Sequence, residues 1–324
     1  MKAVRIERHG GPEVLELREI PEPGKPCAGQ AIVRVIAAGV NFMDVGHQRG
    51  IYPREVPFTP GWEGSGVVAD VGEGVTGVKA GDRVAFGGQP GAYAEAILVD
   101  AGRLVALPAD LTFEQGAAFL TQGLTAQYLI HQFRRISPGE FALVHAAAGG
   151  VGGLLVQWAR HLGATVIGTV SSEEKARVAR ELGAEHAIVY TRGPFAAETR
   201  RITRDHGADL ILDGVGQSTS RENLAAIAVR GHIVVYGASS GPADPIPQYP
   251  LMQNSISFCG GSLQHLDRFQ ERVAELLAAV RDGWLKLSIG GVFPLEQAAK
   301  AHALLESRRS QGKLVLAVAT PPTW

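Results

Sequence analysis

Cysteine is nearly absent from this chain. Two thiols, Cys27 and Cys259, in 324 residues cannot build the disulfide framework of a small secreted domain or a four-thiolate zinc site. They point instead to a reducing, cytoplasmic setting. Charge of one sign is also lacking, because 31 Lys and Arg against 32 Asp and Glu leave a formal net charge of -1. Without a positive excess there is no global handle for a nucleic-acid backbone or an anionic membrane, so no such partner is expected and small-molecule chemistry is. Signal-peptide character is missing, since charges interrupt every short apolar stretch from Met1 to Arg8. The uncharged stretch Phe141–Ala159 contains His145, Gln157 and the glycines 149, 150, 152 and 153. It reads as a buried strand, turn and helix rather than a membrane span. No internal period of the solenoid kind occurs.

What is present is length enough for two cores, and 41 glycines that suggest many tight turns or close backbone approaches. Up to about residue 110, short β-rich runs such as Ala31–Ile36, Gly66–Gly72, Asp82–Phe86 and Ala96–Val99 alternate with glycine turns, as in a barrel-like β domain. From about Gln115 the rhythm changes. Apolar strands at Phe141–Val144, Thr165–Val170, Ala187–Tyr190, Leu210–Asp213 and His232–Tyr236 alternate with helical segments, which predicts βαβ units on a parallel sheet. Helical patterns around Leu266–Asp282 and Leu295–Ser307 and a strand Lys313–Val318 follow, with Thr320–Trp324 as a tail. The expected plan is a β domain over 1–120, an inserted doubly wound α/β domain over 121–262 and a return to the β domain over 263–324.

Ala147-Ala148-Gly149-Gly150-Val151-Gly152 follows the strand Phe141–His145 and opens the helical run Gly153–Leu162. At such a turn a backbone without Cβ lets a pyrophosphate come close, and the first helical N–H groups face the anion. Gly149 and Gly152 hold the second and third glycine positions of the dinucleotide fingerprint, while Ala147 replaces the first. A glycine-rich turn that only packs a helix on a sheet is the rival reading, and the βαβ context favours cofactor binding.

The next strand ends in Ser171 where an NAD-dependent enzyme places a carboxylate for the ribose hydroxyl, and Lys175 follows four residues later. A compact cation with no repelling carboxylate suits a 2′-phosphate, so NADPH is the expected cofactor. The alternative is that Ser171 or Ser172 only caps a helix, with Glu174 completing a capping box and Lys175 on a solvated face.

The segment Gly139–His145 through Gly152, with Gln157 and Arg160, resembles the zinc-independent quinone oxidoreductases related to ζ-crystallin, in the medium-chain dehydrogenase/reductase superfamily. Pro60–Val68, Val71-Gly72 and Gly81–Val84 resemble that superfamily's glycine-rich β core, and Asn41–Asp44, Arg49-Gly50 and Tyr52-Pro53 its catalytic-cleft segment. The similarity runs in order from Met1 to about Val318. It implies a GroES-like β-barrel catalytic domain with a Rossmann-type parallel-sheet domain. Zinc-bearing relatives place a cysteine near position 43 and a histidine inside the Gly-x-Glu-Gly core, whereas this chain has Met43 and Trp62. Thioether and indole do not replace thiolate and imidazole, so no metal is expected.

The resemblance further implies NADPH-dependent hydride transfer to a quinone or similar activated acceptor, or else reduction of an enoyl or alkenal double bond. A cofactor-binding, low-turnover protein, as among the lens crystallins, is a third reading. The resemblance places Asn41, Asp44, Tyr52, Gln122 and Thr125 around the nicotinamide or the acceptor. Asn41 and Tyr52 are donor candidates, with packing open for Tyr52 and helix capping open for Asp44. Ala148, Gly149, Gly150, Val151, Gly152, Ser171, Lys175, Tyr190, Gly237, Ala238 and Ser239 are cofactor candidates, with Phe258 near the nicotinamide and Lys313 near the phosphate end. The family often has an aromatic residue near position 46, and Gly46 followed by His47 suggests a roomier cleft or one covered by His47. A homodimer paired through Ile256–Gly260 is also implied.

Overall fold

A computed structural model describes residues 1–320, so the expected tail falls outside the described residues from 321 onward. The chain divides into two units, Met1–Thr121 with the segment from Leu287 onward, and Gln122–Lys286. It opens with an antiparallel pair, β1 (Lys2–Arg5) and β2 (Glu16–Glu19). Next come β3 (Gln30–Val40), helix α1 (Phe42–Gln48), β4 (Glu63–Val71), β5 (Arg83–Gly87), β6 (Ala96–Asp100) and β7 (Leu104–Ala106). Helix α2 (Phe113–Gln132) contains the boundary between the units.

The second unit alternates strand and helix as its apolar runs require: β8 (Phe141–His145), α3 (Gly150–His161), β9 (Thr165–Val170), α4 (Glu173–Glu181), β10 (His186–Val189) and α5 (Phe195–Ile202). It continues with β11 (Ala208–Asp213), α6 (Ser220–Ala226), β12 (Ile227–Val235), α7 (Gln248–Asn254), β13 (Ser257–Gly260) and α8 (Phe269–Arg281). The six strands form one parallel sheet in the order β10-β9-β8-β11-β12-β13. Chain order therefore reverses between β8 and β11, the switch point at which such sheets open a crevice at their carboxyl ends. Leu143, Ile167, Ile211 and Ile233 fill the core under it.

The return to the first unit comes later than the expected residue 263. Helix α8 belongs to the second unit because Leu276 packs on Gly123 and the buried Arg272 bonds Gln127 and Gln132 of α2. Only β14 (Ile289–Pro294), α9 (Ala298–Glu306) and β15 (Lys313–Ala317) complete the first unit. Its main sheet runs β14-β15-β3-β4-β5-β7, with β6 also on β3. Close approach of β3 and β4 explains the glycines of β4: a Cβ on Gly66 would sit 1.9 Å from the Arg34 carbonyl oxygen. Among the described residues no helix is long and apolar enough to cross a membrane.

Helix α9 is pinned by a buried polar chain. The Tyr93 hydroxyl lies 3.0 Å from His302 Nε2, and His302 Nδ1 lies 2.6 Å from Gln48 Oε1. An amide oxygen only accepts, so His302 carries its proton on Nδ1 and Nε2 accepts from the tyrosine. Burial pushes the His302 pKa down to about 3 from 6.5. Between those values the unfolded chain binds a proton that the folded chain refuses, so this histidine's contribution to stability declines as pH falls, by about 1.4 kcal/mol per pH unit. In urea unfolding, the stability lead of the parent chain over His302→Gln should shrink at that slope below about pH 6.5. A lead independent of pH would show that His302 is not held neutral.

Candidate active site

In the second unit the glycine turn sits where the sheet opens. Gly149 is the N-cap of α3, and the first N–H groups of that helix, from Gly150 to Gly152, lack intrahelical carbonyl partners by geometry. A Cβ on Gly152 would lie 2.2 Å from the Ala146 carbonyl oxygen, so only glycine lets the helix start this close to β8. A Cβ on Gly150 would strike the Gln122 carboxamide at 2.2 Å, which puts the α2 residue Gln122 directly over the turn. Ala148 is buried beneath it, and Thr125 lies one turn further along α2, partly exposed.

On the other side of the switch point, Asp213 ends β11 fully buried and organises the facing loop. Its carboxylate accepts from the Thr219 hydroxyl at 2.7 Å, from Asn223 Nδ2 at 2.7 Å, and from the Val215 and Gly216 N–H groups at 2.7 and 3.2 Å. Because Asn223 turns its nitrogen to that carboxylate, its oxygen faces His145 Nε2 at 2.7 Å and accepts a hydrogen bond from that ring's N–H. His145 Nδ1 then accepts from the Thr169 hydroxyl at 2.7 Å, and burial holds the ring neutral by lowering its pKa. This network ties the ends of β8, β9 and β11 together. Gly237 packs on Gly214, and the Ser239 N–H donates to the Gly214 carbonyl at 3.2 Å, so Gly237, Ala238 and Ser239 close the loop above it. None of Asp213, Asn223 or His145 stands out in the sequence as a site residue, although an aspartate ending an apolar strand is the available signal.

At the far end of β9, Ser172 rather than Ser171 is the N-cap of α4, and its hydroxyl accepts from the Lys175 N–H at 3.3 Å. The third helical residue is therefore Lys175, which leaves Glu174 unable to complete the expected capping box. Lys175 is half-buried, not on a solvated face, and burial lowers its pKa while Glu174 opposes this. Ser171 accepts through its carbonyl from the Thr191 hydroxyl, next to the exposed Tyr190. Arg192, paired with Glu173, is a cation of this rim that sequence reading passed over.

The first unit gathers Asn41, Asp44 and, unexpectedly, Glu63 and Lys313, whereas Tyr52 lies against Gly46 and His47 towards the other end of α1. Lys313 was expected near the phosphate end, but it is only 1% exposed and its ammonium is bonded to a Glu63 oxygen and, at 2.7 Å, to Asn41 Oδ1. Asn41 Nδ2 donates to the same Glu63 oxygen at 2.9 Å, and the other Glu63 oxygen accepts from the Thr121 N–H at 2.8 Å. Asp44 uses its two oxygens on backbone, accepting from the Asn41 N–H at 2.8 Å and the Gly61 N–H at 3.1 Å. This is the capping role. Burial pushes its pKa up to about 7, against those hydrogen bonds and Lys313.

Gly46 does not leave a space. A Cβ there would come within 2.3 Å of the Tyr52 ring, so Tyr52 already fills the volume that an aromatic residue at 46 would claim. His47 meets Tyr52 edge-on at 5.6 Å and stacks on Trp62 at 5.4 Å. Burial lowers the His47 pKa, which keeps this ring neutral in the stack. Of the two expectations at this position, the space at Gly46 is taken by Tyr52, while His47 lies between the Tyr52 and Trp62 rings. Phe258 lies on the edge strand β13, two residues before its carboxyl end, with 38% of its surface exposed.

The chain matches the alcohol dehydrogenase GroES-like domain over residues 27–109 and the zinc-binding dehydrogenase domain over residues 150–279. It is 40% identical to a 2-haloacrylate reductase from Burkholderia sp, over 97% of this chain and 98% of that protein. Identity to a quinone oxidoreductase from Pseudomonas aeruginosa is 39%, over 97% of this chain and 99% of that protein. The crystal structure of Escherichia coli quinone oxidoreductase complexed with NADPH superimposes with a TM-score of 0.94 at 36% identity, covering 98% of this chain and 100% of that one.

Gly152→Ala should weaken dinucleotide binding by at least about 10-fold, because the turn must open to relieve the carbonyl contact. Fluorescence titration with the reduced dinucleotide reads this, and unchanged affinity would remove the turn from the site.

Proposed function

The chain belongs to the quinone oxidoreductase group of the medium-chain dehydrogenase/reductase superfamily, and from that membership we propose that it reduces a quinone or another activated acceptor with NADPH and without zinc. The observation that carries this reading is the fixed carboxamide of Asn41. Glu63 and Lys313 hold it as a hydrogen-bond donor at the N-terminus of α1, the helix whose last turn carries His47 against Tyr52 and Trp62.

The residues present do not suit a zinc ion. Trp62 and Met43 offer no anionic sulfur or imidazole, and Glu63 is already neutralised by an internal ammonium. A hydrogen bond polarises an acceptor oxygen less than a metal does. The acceptor must therefore accept electron density readily, as a quinone or a conjugated alkene does.

Bound NADPH supplies the hydride. Its 2′-phosphate suits the rim formed by Ser171, Lys175 and Tyr190, where no carboxylate ends β9. The pyrophosphate suits Gly149–Gly152, with Gln122 over the turn. Asn41 Nδ2 donates to the acceptor oxygen on which charge develops, and Tyr52 with the His47 and Trp62 rings holds a planar acceptor in place. Asp44 keeps the N-terminus of α1 on the Gly61 turn so that the donor does not drift.

A conjugated alkene is the second reading, favoured by the 40% identity to a protein named for 2-haloacrylate. The same donor serves, because charge again develops on an oxygen conjugated to the carbon that takes the hydride. We further propose homodimerisation through β13, which lies at the edge of its sheet, with Tyr249 and Met252 exposed on the preceding helix.

Turnover is to be measured with NADPH and NADH against a benzoquinone, a polycyclic quinone, a 2-alkenal, an enoyl thioester and 2-chloroacrylate. NADPH should be the better donor, and Lys175→Ala should bring the NADPH:NADH efficiency ratio toward one. Equal use of both cofactors by the parent chain would reject the cofactor assignment. Tight NADPH binding with no turnover of any acceptor would reject the enzymatic one. Gly46→Ala should raise KM for the polycyclic quinone more than for benzoquinone, since the added methyl displaces the Tyr52 ring.

A further inference from the structure

Glu63 opens β4, Lys313 opens β15 and Asn41 caps α1, so three separate segments deliver one buried polar cluster. All three side chains are close to water-free: Glu63 is 0%, Lys313 1% and Asn41 7% exposed. An ammonium only donates, so the Asn41 atom 2.7 Å from Lys313 Nζ is the amide oxygen. A carboxylate only accepts, so the atom 2.9 Å from Glu63 is the amide nitrogen. Turning the amide over would set an N–H against the ammonium and an oxygen against the carboxylate. In a buried site each of those contacts is costly, and both would be made at once.

We propose that Lys313 and Glu63 form a built-in ion pair that sets which end of the Asn41 carboxamide faces the acceptor, making Lys313 a positioning residue for hydride transfer. The inference rests on the reading of Asn41 as the acceptor's hydrogen-bond donor. One Nδ2 hydrogen is spent on Glu63, and the second is the one offered to the acceptor oxygen. Lys313 touches neither substrate nor cofactor in this account. It acts by occupying the amide oxygen.

A buried pair of this kind also serves stability, so the test separates orientation from folding. Lys313→Met should keep NADPH affinity, because the pyrophosphate turn lies in the other unit, and should lower kcat by about 10- to 100-fold. Asn41→Ala should lower kcat to a similar extent. If Lys313 acts through Asn41, the double variant Lys313→Met/Asn41→Ala should be no slower than Asn41→Ala alone.

Losses that multiply in the double variant would overturn the positioning role. So would a Lys313→Met enzyme with the parent kcat, or one whose defect lies in KM for NADPH. Should Lys313→Met fail to fold because Glu63 is left unpaired, Lys313→Met/Glu63→Leu removes both charges together. That variant should fold and show the same kcat loss, and full activity in it would equally overturn the proposal. Parent-level kcat in Asn41→Ala would instead sink the donor reading. A slow Asn41→Ala with an unimpaired Lys313→Met sinks the positioning inference alone.

Discussion

Glu63 has no surface in water, and a carboxylate in that position must be answered from within the chain. An unpaired buried charge costs several kcal/mol, a large part of what a domain has to spare. The answers to Glu63 come from Asn41, Thr121 and Lys313, so the start of α1, a residue of α2 and the start of β15 are drawn to one point. This gives the last segment of the chain a role beyond filling the sheet. Beta strand β15 pairs with β3 and carries Lys313 back to a carboxylate 250 residues earlier. The interruption of the first unit by the second is compatible with that pairing because both ends of the break are anchored in the same sheet.

Asp213 poses the same problem in the second unit and is answered differently. Its donors are neutral: one hydroxyl, one amide and two backbone N–H groups. Neutral donors satisfy the carboxylate here without a buried cation. They also propagate orientation, because the Asn223 amide fixed by Asp213 fixes the His145 tautomer, which fixes the Thr169 hydroxyl. In the first unit a cation performs the corresponding task for a single amide. In both units the chemistry of the partner decides the direction of each hydrogen bond.

The alternation of apolar strands with helices, and the glycine turn between β8 and α3, could be read from spacing because both are local. What could not be read is instructive by residue. Gly46 suggested space, but interiors are close-packed and the ring of Tyr52 takes the volume. Lys313, the last charge before an apolar strand, carried no hint that its partner lay in β4. The α8 pattern showed an apolar face without saying which unit would cover it, and a buried arginine, Arg272, settled the matter. Of the two candidate caps, Ser171 and Ser172, the second is used, which puts Lys175 rather than Glu174 at the third helical position and leaves it half-buried beside β9.

Asp44 shows how a site residue and a scaffold residue are told apart. Its carboxyl is poised to titrate near neutrality, since burial pushes its pKa up to about 7, and that alone would suit a proton donor. Yet each of its oxygens already accepts a backbone N–H, from Asn41 and from Gly61. Accepting those bonds is work that the ionised form does best, and giving a proton to an acceptor would first require breaking the cap that holds Asn41. The two demands conflict within one residue. Geometry therefore assigns Asp44 to holding the start of α1 in place, while the Asn41 amide is oriented by the pair of Lys313 and Glu63.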